Sequence, residues 1–292
     1  MILVTGAAGK TGQAVIRALA QRGAAVRAMV RRPAQGEVVR RLGAREVVVG
    51  DLRRPAEVAV AVQGVQAIYH ICPNMAADET AIAGGVMDAA RRAGVHRLVY
   101  HSVLHPQAEA MPHHWHKMRV EERLFTAGLS YTILQPAAYM QNVLAGWKTI
   151  VEAGVYRVPY DVKARLGMVD LRDVAEVAAR VLTEPGHEGA IYELAGPEVL
   201  TQIEVAACLQ KVLGRPVRAE TIPRDEWALQ VRADGLGVYA IDTLLQMFHY
   251  YEQFGFWGNP RVLAWLLERP PTPFEAFVRR VAGKQDRLSS PS

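Results

Sequence analysis

The sequence predicts an α/β protein in which a doubly wound parallel sheet is followed by a smaller C-terminal α/β lobe. Short aliphatic runs without polar alternation, beginning with Ile2–Val4, are typical of strands buried on both faces of a parallel sheet. Segments with helical periodicity separate these runs as far as Pro136, so the order is strand, helix, strand. The alternation runs to Pro136 and is lost beyond about Gly146. We therefore predict a domain boundary near residue 136.

The N-terminal βαβ unit contains a glycine-rich turn, Gly6-x-x-Gly9-x-x-Gly12. Gly6 permits a tight turn, Gly9 lets backbone N–H groups approach a pyrophosphate, and Gly12 allows close packing of helix on strand. The start of the following helix offers unpaired N–H groups and the positive end of its dipole to an anion. We therefore predict a Rossmann-type dinucleotide-binding domain over residues 1–136. A purely structural βα turn is the alternative.

The end of the second strand indicates which dinucleotide binds. Enzymes that prefer NAD place Asp or Glu about 20 residues after the glycines, where it accepts hydrogen bonds from the ribose 2′-hydroxyl. No acidic residue occurs between Gly6 and Glu37, and Arg31 and Arg32 stand at this position. A guanidinium suits bidentate contact with a 2′-phosphate, and Lys10 adds positive charge. The prediction is NADP(H) in preference to NAD(H), the alternative being that both arginines are solvated loop charges.

Further strands and helices continue the pattern along the chain. The predicted strands lie at 46–49, 67–71, 97–102, 131–136, 168–170, 191–194 and 217–222. Thr201 and Glu204 form a capping box for a helix that runs to residue 213. An aromatic-rich segment, 226–256, reads as mostly helical. It is interpreted as the roof of an apolar cleft, an oligomer contact or the core of the small lobe.

Three segments resemble the short-chain dehydrogenase/reductase superfamily, and more closely its atypical NmrA-like branch. They are Thr5 with the glycine turn, the helix motif Lys117-Met118-Arg119-Val120-Glu121, and the stretch from Tyr131 to Asn142. The resemblance covers most of the chain. It implies an NADP-binding Rossmann domain over residues 1–136. It also implies a mostly helical substrate-binding lobe over 137–292, with an approximate boundary that the chain can recross.

The glycines and arginines, together with the resemblance, define a predicted set of site residues. The cofactor-binding set is Gly6, Ala8, Gly9, Lys10, Thr11, Gly12, Arg31, Arg32, Asp51, Leu52, Ile71, Cys72, Pro73, Lys117, Pro136 and Ala137. The resemblance further implies that Tyr139, Met140 and Asn142 face the substrate. Core packing is the alternative for Met140, and an ordinary βα loop is the alternative for residues 72–74.

The predicted catalytic residues are Lys117, His113 and Ser102. Classical short-chain enzymes use Tyr-x-x-x-Lys, in which the lysine binds the nicotinamide ribose and lowers the pKa of the tyrosine. Lys117 preserves the lysine, but His113 stands where the tyrosine would be. Ser102 ends the predicted fifth strand, where the superfamily often places a catalytic or ribose-binding hydroxyl.

These residues predict an NADPH-dependent oxidoreductase, and the resemblance implies that it transfers a hydride to a small apolar acceptor such as a quinone or a conjugated carbonyl. A non-catalytic NADP(H) sensor that regulates a protein partner is the alternative, and the missing tyrosine favours it. An isomerase or epimerase is a third and weaker interpretation, for the same reason.

Composition narrows the choice of partners and compartment. The net charge is +5, but the arginines are scattered and not interleaved with aromatic residues, so no nucleic-acid partner is expected. No apolar stretch reaches the roughly 20 residues of a membrane span, and Cys72 and Cys208 fall within apparent core elements. We expect a cytoplasmic monomer or homodimer that acts on a small molecule. The histidines between 101 and 116 lack metal-ligand spacing, so no metal is predicted.

Overall fold

A computed structural model describes the backbone of residues 1–289 and the side chains of residues 1–283. The strands are β1 (Ile2–Val4), β2 (Val26–Val30), β3 (Glu46–Val49), β4 (Ala67–His70), β5 (Arg97–His101), β6 (Ser130–Pro136), β7 (Ala138–Tyr139), β8 (Val155–Val158), β9 (Arg165–Val169), β10 (Ala190–Leu194), β11 (Val199–Thr201) and β12 (Arg218–Thr221). The helices are α1 (Lys10–Gln21), α2 (Gly36–Arg41), α3 (Pro55–Ala61), α4 (Glu79–Arg92), α5 (Pro112–Phe125), α6 (Trp147–Ala153), α7 (Leu171–Thr183), α8 (Gln202–Leu213), α9 (Arg224–Ala233), α10 (Val238–Phe254), α11 (Arg261–Leu267) and α12 (Phe274–Ser289). Two 3₁₀ helices among the described residues lie at Pro33–Gln35 and Met140–Gly146.

The chain divides into two compact units. The first contains Met1–Pro136 and Leu171–Glu193, and the second contains Ala137–Asp170 and the chain from Leu194 onward. The first break lies at the predicted boundary. Residues 171–193, which the sequence grouped with the second lobe, belong instead to the first unit. They do so because α7 packs against α1, and β10 joins the sheet beside β6.

A seven-stranded sheet forms the centre of the first unit, in the order β10-β6-β5-β4-β1-β2-β3. The neighbouring strands from β6 to β3 all pair in parallel, with Val4 opposite both Ala28 and Tyr69. Every residue of β1 and β4 is buried, which explains why these strands show no polar alternation. The predicted α/β class with a doubly wound parallel sheet is confirmed.

Helices cover this sheet with apolar faces. On α1, Val15, Ile16 and Leu19 are fully buried at helical spacing, and the helix packs against α7. Helices α3, α4 and α5 pack in a row, and their buried side chains form one core with residues of β1, β4, β5 and β6. Because the strands are parallel, their carboxyl ends share one edge of the sheet, where the loops carry the predicted site.

The second unit contains two small sheets and several helices. A three-stranded sheet has the order β11-β9-β7, and β12 pairs in parallel with β8. Helix α8 begins at the predicted capping box, where Thr201 Oγ1 accepts a hydrogen bond from the backbone N–H of Glu204 at 3.2 Å. The predicted strand at 168–170 is the end of a longer strand, β9, whose last residue is Val169.

The aromatic segment of the second unit forms two helices, α9 and α10, and has both buried and exposed rings. Phe248 packs on Trp227 and Tyr160, with ring centroids 4.8 Å and 5.7 Å apart. Tyr251 stacks on Phe256 at 5.1 Å, so these rings close the core of the unit. Tyr239 and Phe254 of the segment are exposed, as is the adjacent Trp257, and Tyr250 is half-buried. Within the described part of the chain, no helix combines the length and apolar character needed to cross a bilayer.

Candidate functional site

The glycine turn between β1 and α1 has the geometry that its sequence predicts. Gly6 has a φ of +58°, in the left-handed region that favours glycine. A Cβ on Gly12 would lie 2.5 Å from the Gly6 carbonyl oxygen and 2.6 Å from Ala7 Cα, so the helix can approach the turn only if this residue is glycine. A Cβ on Gly9 would meet only the Gly6 oxygen, at 3.3 Å. The backbone conformation at Gly6 and the close packing at Gly12 therefore require glycine, whereas Gly9 is exposed.

The N-terminus of α1 lacks the features that usually satisfy a helix start. Its N-cap, Gly9, has no side chain, and the first turn contains no acidic residue. Within the helix the first hydrogen bond runs from Gln13 N to Gly9 O at 2.9 Å, so the N–H groups of Lys10, Thr11 and Gly12 precede the helical ladder. The Lys10 side chain is also exposed here. These N–H groups, the helix dipole and the lysine charge together form an anion-binding surface.

Thr5 connects the glycine turn to the end of β4. Its hydroxyl accepts a hydrogen bond from the backbone N–H of Ile71 at 2.8 Å and donates to the Ile71 carbonyl at 3.0 Å. The His70 Nδ1 lies 3.0 Å from the same hydroxyl. The chain leaving β4 therefore runs beside the turn, where Ile71 Cβ would lie 3.0 Å from a Cβ on Gly6.

The residues after β4 lie in the loop that leads toward α4. Cys72 is buried with Ala76 and Ile82, and Leu52 packs against this cluster. Burial raises the pKa of the Cys72 thiol, which keeps it protonated at neutral pH. Pro73 is half-buried. The structure thus brings together Leu52 and Cys72, two residues that the family resemblance implies line the cofactor.

Two exposed arginines follow β2 at the same edge of the sheet. Neither the Arg31 nor the Arg32 guanidinium forms an ion pair with a described side chain. Asp51 follows the neighbouring strand, β3, where its Oδ1 accepts a hydrogen bond from the N–H of Arg53 at 2.9 Å. Its own N–H donates to Glu57 Oε2 at 2.6 Å, so the loop after β3 is held by its own side chains. The two guanidinium groups remain available to an anion.

Lys117 lies on α5 and reaches the end of β5. Its Nζ donates to Oε1 of Glu79 at 2.7 Å and to the carbonyl oxygen of His101 at 3.3 Å. Tyr100 donates its hydroxyl hydrogen to the same Oε1 at 2.8 Å, and Lys117 Nζ lies 5.4 Å from the centroid of the Tyr100 ring. Glu79 is a site residue that could not be identified from the sequence. An acidic residue at a helix start is usually assigned to the helix dipole, and no local pattern indicates that this one is buried.

Ser102, at the end of β5, is hydrogen-bonded inside the protein. Its hydroxyl donates to Oε1 of Glu121, and the side-chain amide of Gln135 donates to both Glu121 oxygens at 3.0 and 2.9 Å. Burial raises the pKa of Glu121, and the hydrogen bonds from Ser102 and Gln135 oppose that shift. Ser102 is itself 3% exposed, so its hydroxyl proton is committed to Glu121.

The predicted catalytic His113 lies in the first turn of α5 and is buried. Burial, together with the neighbouring His114 and Lys117 charges, lowers the pKa of His113 to about 2. Its Nδ1 has no hydrogen-bond partner within the described chain. The imidazolium form is therefore not populated near neutral pH, and these properties argue against proton donation from a charged His113.

Two more imidazoles close to Lys117 are kept neutral. Burial, assisted by the charge of Lys117, lowers the pKa of both His70 and His101 to about 3. The Tyr69 hydroxyl lies 2.6 Å from Nδ1 of His101. Within the part of the chain that the structure describes, no group of three or more His, Cys, Asp or Glu residues could hold a metal ion.

Two predicted cofactor residues precede the predicted substrate residues: Pro136 belongs to the first unit and Ala137 to the second. The predicted substrate residues, Tyr139, Met140 and Asn142, belong to the second unit. Pro136 is buried, and its carbonyl accepts a hydrogen bond from Leu104 N at 2.9 Å. Ala137 is buried, and Tyr139 on β7 is half-buried. The remaining two lie on the 3₁₀ helix: Met140, which is 1% exposed, and Asn142, which is exposed. The burial of Met140 agrees with the alternative of core packing.

Comparison with known proteins identifies a family and relatives that match most of the chain. The model of the NmrA-like family matches residues 1–277. The chain is 31% identical over 255 residues to the NAD(P)H azoreductase of Xenophilus azovorans, covering 85% of this chain and 86% of that protein. It is 30% identical over 282 residues to quinone oxidoreductase 2 of Escherichia coli (strain K12), covering 95% and 97%.

A solved structure agrees with these relatives. The NADPH-dependent quinone oxidoreductase QOR2 of Escherichia coli, complexed with NADPH, superposes with a TM-score of 0.83 at 29% identity. The match covers 97% of this chain and 100% of that one. This protein therefore belongs to the NmrA-like family.

Proposed function

We propose that this protein is an NADPH-dependent oxidoreductase that transfers a hydride to a small, flat, conjugated acceptor such as a quinone or an azo compound. Two relatives in the same family are named as an NAD(P)H azoreductase and a quinone oxidoreductase. Both kinds of acceptor take a hydride into an extended π system, so the shared chemistry supports this class of substrate. A conjugated carbonyl compound belongs to the same class.

The glycine turn is the observation that carries the proposal. At Gly12 there is no room for a side chain between α1 and the turn. The N–H groups at the uncapped start of α1 are left for an external anion. These residues fit a pyrophosphate: the N–H groups of Lys10, Thr11 and Gly12 would donate to its oxygens. A capping serine or an acidic residue in the first turn would have competed for this position, and neither occurs.

Arg31 and Arg32 support the choice of NADP(H). They follow β2, the strand next to β1, and their guanidinium groups are exposed and unpaired among the described side chains. In this proposal they hold the 2′-phosphate by charge-assisted hydrogen bonds. A carboxylate at this position would repel that phosphate, and none is present between Gly6 and Glu37.

Lys117 is the member of the predicted catalytic set that remains available. Bound NADPH would supply the hydride. Lys117 Nζ would bind the nicotinamide ribose and hold a proton at the end of β5. Ser102 commits its hydroxyl hydrogen to Glu121, and burial keeps His113 neutral. The acceptor class is consistent with this arrangement, since quinones and azo groups need little positioned proton donation.

A steady-state assay tests the proposal. NADPH oxidation is followed by loss of nicotinamide absorbance with a panel of quinones, azo dyes and enones. We expect turnover with at least one acceptor, and we expect Lys117→Met to reduce it by about 100-fold, the scale of a lost charge-assisted contact in a reaction site. Absence of turnover with every acceptor, despite tight NADPH binding, would contradict the enzyme proposal.

A second candidate function is a non-catalytic NADP(H) sensor that regulates a protein partner. The commitment of Ser102 to Glu121 and the neutral, buried His113 favour it, because neither residue is a ready proton donor. Binding without turnover in the same assay is its expected result. The cytoplasmic location and the monomeric or homodimeric state stay predictions from the sequence.

A further inference from the structure

We propose that Glu79 is the positioning residue that orients Lys117 toward the cofactor, an inference that rests on the proposed function above. Glu79 is the first residue of α4 and is 2% exposed. Its carboxylate accepts a hydrogen bond from Lys117, which lies 38 residues later on α5. No sequence motif pairs the two residues.

Glu79 occupies one of the three N–H donors of the Lys117 ammonium and so limits its orientation. An ammonium has three N–H donors. One points to Glu79 Oε1 and another to the His101 carbonyl, and these are the hydrogen bonds of Lys117 Nζ within the described chain. The third N–H is left over. The Lys117 side chain is 17% exposed, whereas that of Glu79 is 3% exposed, so in this proposal the third donor is the one that serves a ligand. A ribose hydroxyl is an acceptor of the required kind.

The carboxylate of Glu79 is itself held in place. The Tyr100 hydroxyl donates to the same Oε1 at 2.8 Å from the fully buried interior of β5. The preceding residue, Asp78, is held by a bidentate pair with Arg53, in which Nε and Nη2 lie 2.7 and 3.0 Å from its two oxygens. Glu79 thus has a fixed backbone and a fixed oxygen, so it can fix the direction of a flexible lysine chain.

Charge explains why a carboxylate occupies this position. Lys117 Nζ contacts the Glu79 carboxylate, the Tyr100 ring and the carbonyl of His101, and the nearby imidazoles of His70 and His101 are uncharged near neutral pH. The Glu121 carboxylate interacts with Lys117 only through its charge. Glu79 supplies the negative charge that compensates the partly buried ammonium. Glutamine would keep an acceptor oxygen but remove this charge. Aspartate would keep the charge but shorten the reach by one methylene.

Ligand binding separates this positioning role from a merely structural one. We would measure by calorimetry the affinity of the full-length protein for two probes, NADPH and 2′-phospho-AMP, which lacks the nicotinamide ribose. Glu79→Gln is expected to weaken the binding of NADPH by about tenfold, equivalent to about 1.4 kcal/mol. Binding of 2′-phospho-AMP is expected to change by less than about twofold, since Arg31 and the glycine turn are untouched.

A double-mutant cycle tests whether Glu79 acts through Lys117. In a Lys117→Met background, Glu79→Gln should cause no further loss of NADPH affinity. In the otherwise unaltered protein, Glu79→Asp should also weaken NADPH binding. Its loss of affinity should be more than half of the loss in Glu79→Gln, because aspartate keeps the charge but is one methylene shorter. Glu184→Gln, which removes a carboxylate paired with Arg180 on α7, is the control and should leave both affinities unchanged.

Three results would overturn the inference: unchanged NADPH affinity in Glu79→Gln, equal weakening of both probes, or additive losses with Lys117→Met. Should Glu79→Gln fail to fold, Tyr100→Phe removes the second donor to the same oxygen and should weaken NADPH by about threefold without affecting 2′-phospho-AMP. No change in that variant would count against the role. Failure of the unaltered protein to bind NADPH would instead reject the proposed function.

Discussion

Ser102, at the end of β5, donates its hydroxyl hydrogen to Oε1 of Glu121 on α5. The same carboxylate accepts two further hydrogen bonds from Gln135 on β6, so a strand, a helix and a second strand meet at one buried group. A hydroxyl has a single hydrogen to donate. While this contact lasts, Ser102 can serve a ligand only as an acceptor. The residue that the sequence predicted as a catalytic hydroxyl therefore also fixes the helix that carries Lys117.

The two arginines after β2 are expected to determine coenzyme preference. Arg31→Asp should weaken NADPH binding by about 10- to 100-fold, because a charge-assisted hydrogen bond is lost and a repulsive carboxylate faces the 2′-phosphate. NADH binding should be retained or improved, since aspartate can accept hydrogen bonds from the 2′-hydroxyl. Calorimetric titration with each nucleotide measures both affinities. Arg45→Asp, the same charge change at another exposed position, is the control. Unchanged NADPH affinity in Arg31→Asp would show that Arg31 is a solvated loop charge.

The position of Gly12 predicts a large and specific effect of adding one methyl group. Gly12→Ala should lower stability by about 1–3 kcal/mol, because its Cβ would lie 2.5 Å from the backbone oxygen of Gly6. Gly85→Ala, in the middle of α4 with no atom within 4 Å of the added Cβ, should raise stability by up to about 1 kcal/mol through helix propensity. Thermal unfolding of both variants gives the comparison. Equal midpoints in the two variants would contradict the close packing inferred for α1.

Buried imidazoles predict acid sensitivity. The pKa values of His70 and His101 are lowered to about 3, and that of His113 to about 2, chiefly by burial. Unfolded histidines take up protons below about pH 6.5, so acidification favours the unfolded chain until the folded pKa values are reached. The free energy of unfolding should therefore be at its full value above about pH 6.5, where the histidines are neutral in both states. Below it, each such group should remove about 1.4 kcal/mol per pH unit.

Urea unfolding at a series of pH values from about 7.5 to about 4.5 measures this slope. His70→Asn, which keeps a polar group near Thr5 but cannot titrate, should make the slope shallower. A stability that stays constant or rises on acidification would contradict the assignment of these imidazoles as neutral.

Two neighbouring arginines of α12 are expected to differ in their contribution to stability. Arg280 donates to Oδ2 of Asp170, which is fully buried, whereas Arg279 pairs with Glu275 on the exposed face of the same helix. Arg280→Ala should cost about 2–4 kcal/mol, because a buried carboxylate loses a charged partner. Arg279→Ala should cost less than about 1 kcal/mol. Chemical unfolding of both variants measures the difference, and equal losses would contradict the importance of the Asp170 contact.

Much of the fold could be predicted because its signals are local. The buried strand Ile2–Val4, the half-buried strand Glu46–Val49, the turn at Gly6 and the capping box at Thr201 each depend on residues close in sequence. The short strand Val155–Val158 could not be predicted, since its pairing with β12 joins residues about 60 positions apart. Residues 171–193 join the first unit for a similar reason: their partners on α1 and β6 lie far away in sequence.

For the candidate site, the sequence by itself determined the glycine turn, the arginines that can accept a 2′-phosphate, and the lysine of α5. The glycines and arginines follow from residue type and spacing, because the backbone conformation and the charge are set locally, whereas the lysine follows from the resemblance of its motif to the NmrA-like family. Only the tertiary structure decided that Glu79 faces Lys117, that Ser102 gives its proton to Glu121, and that His113 is buried. Burial and side-chain partners arise when distant segments pack together, so they depend on contacts that no local pattern contains.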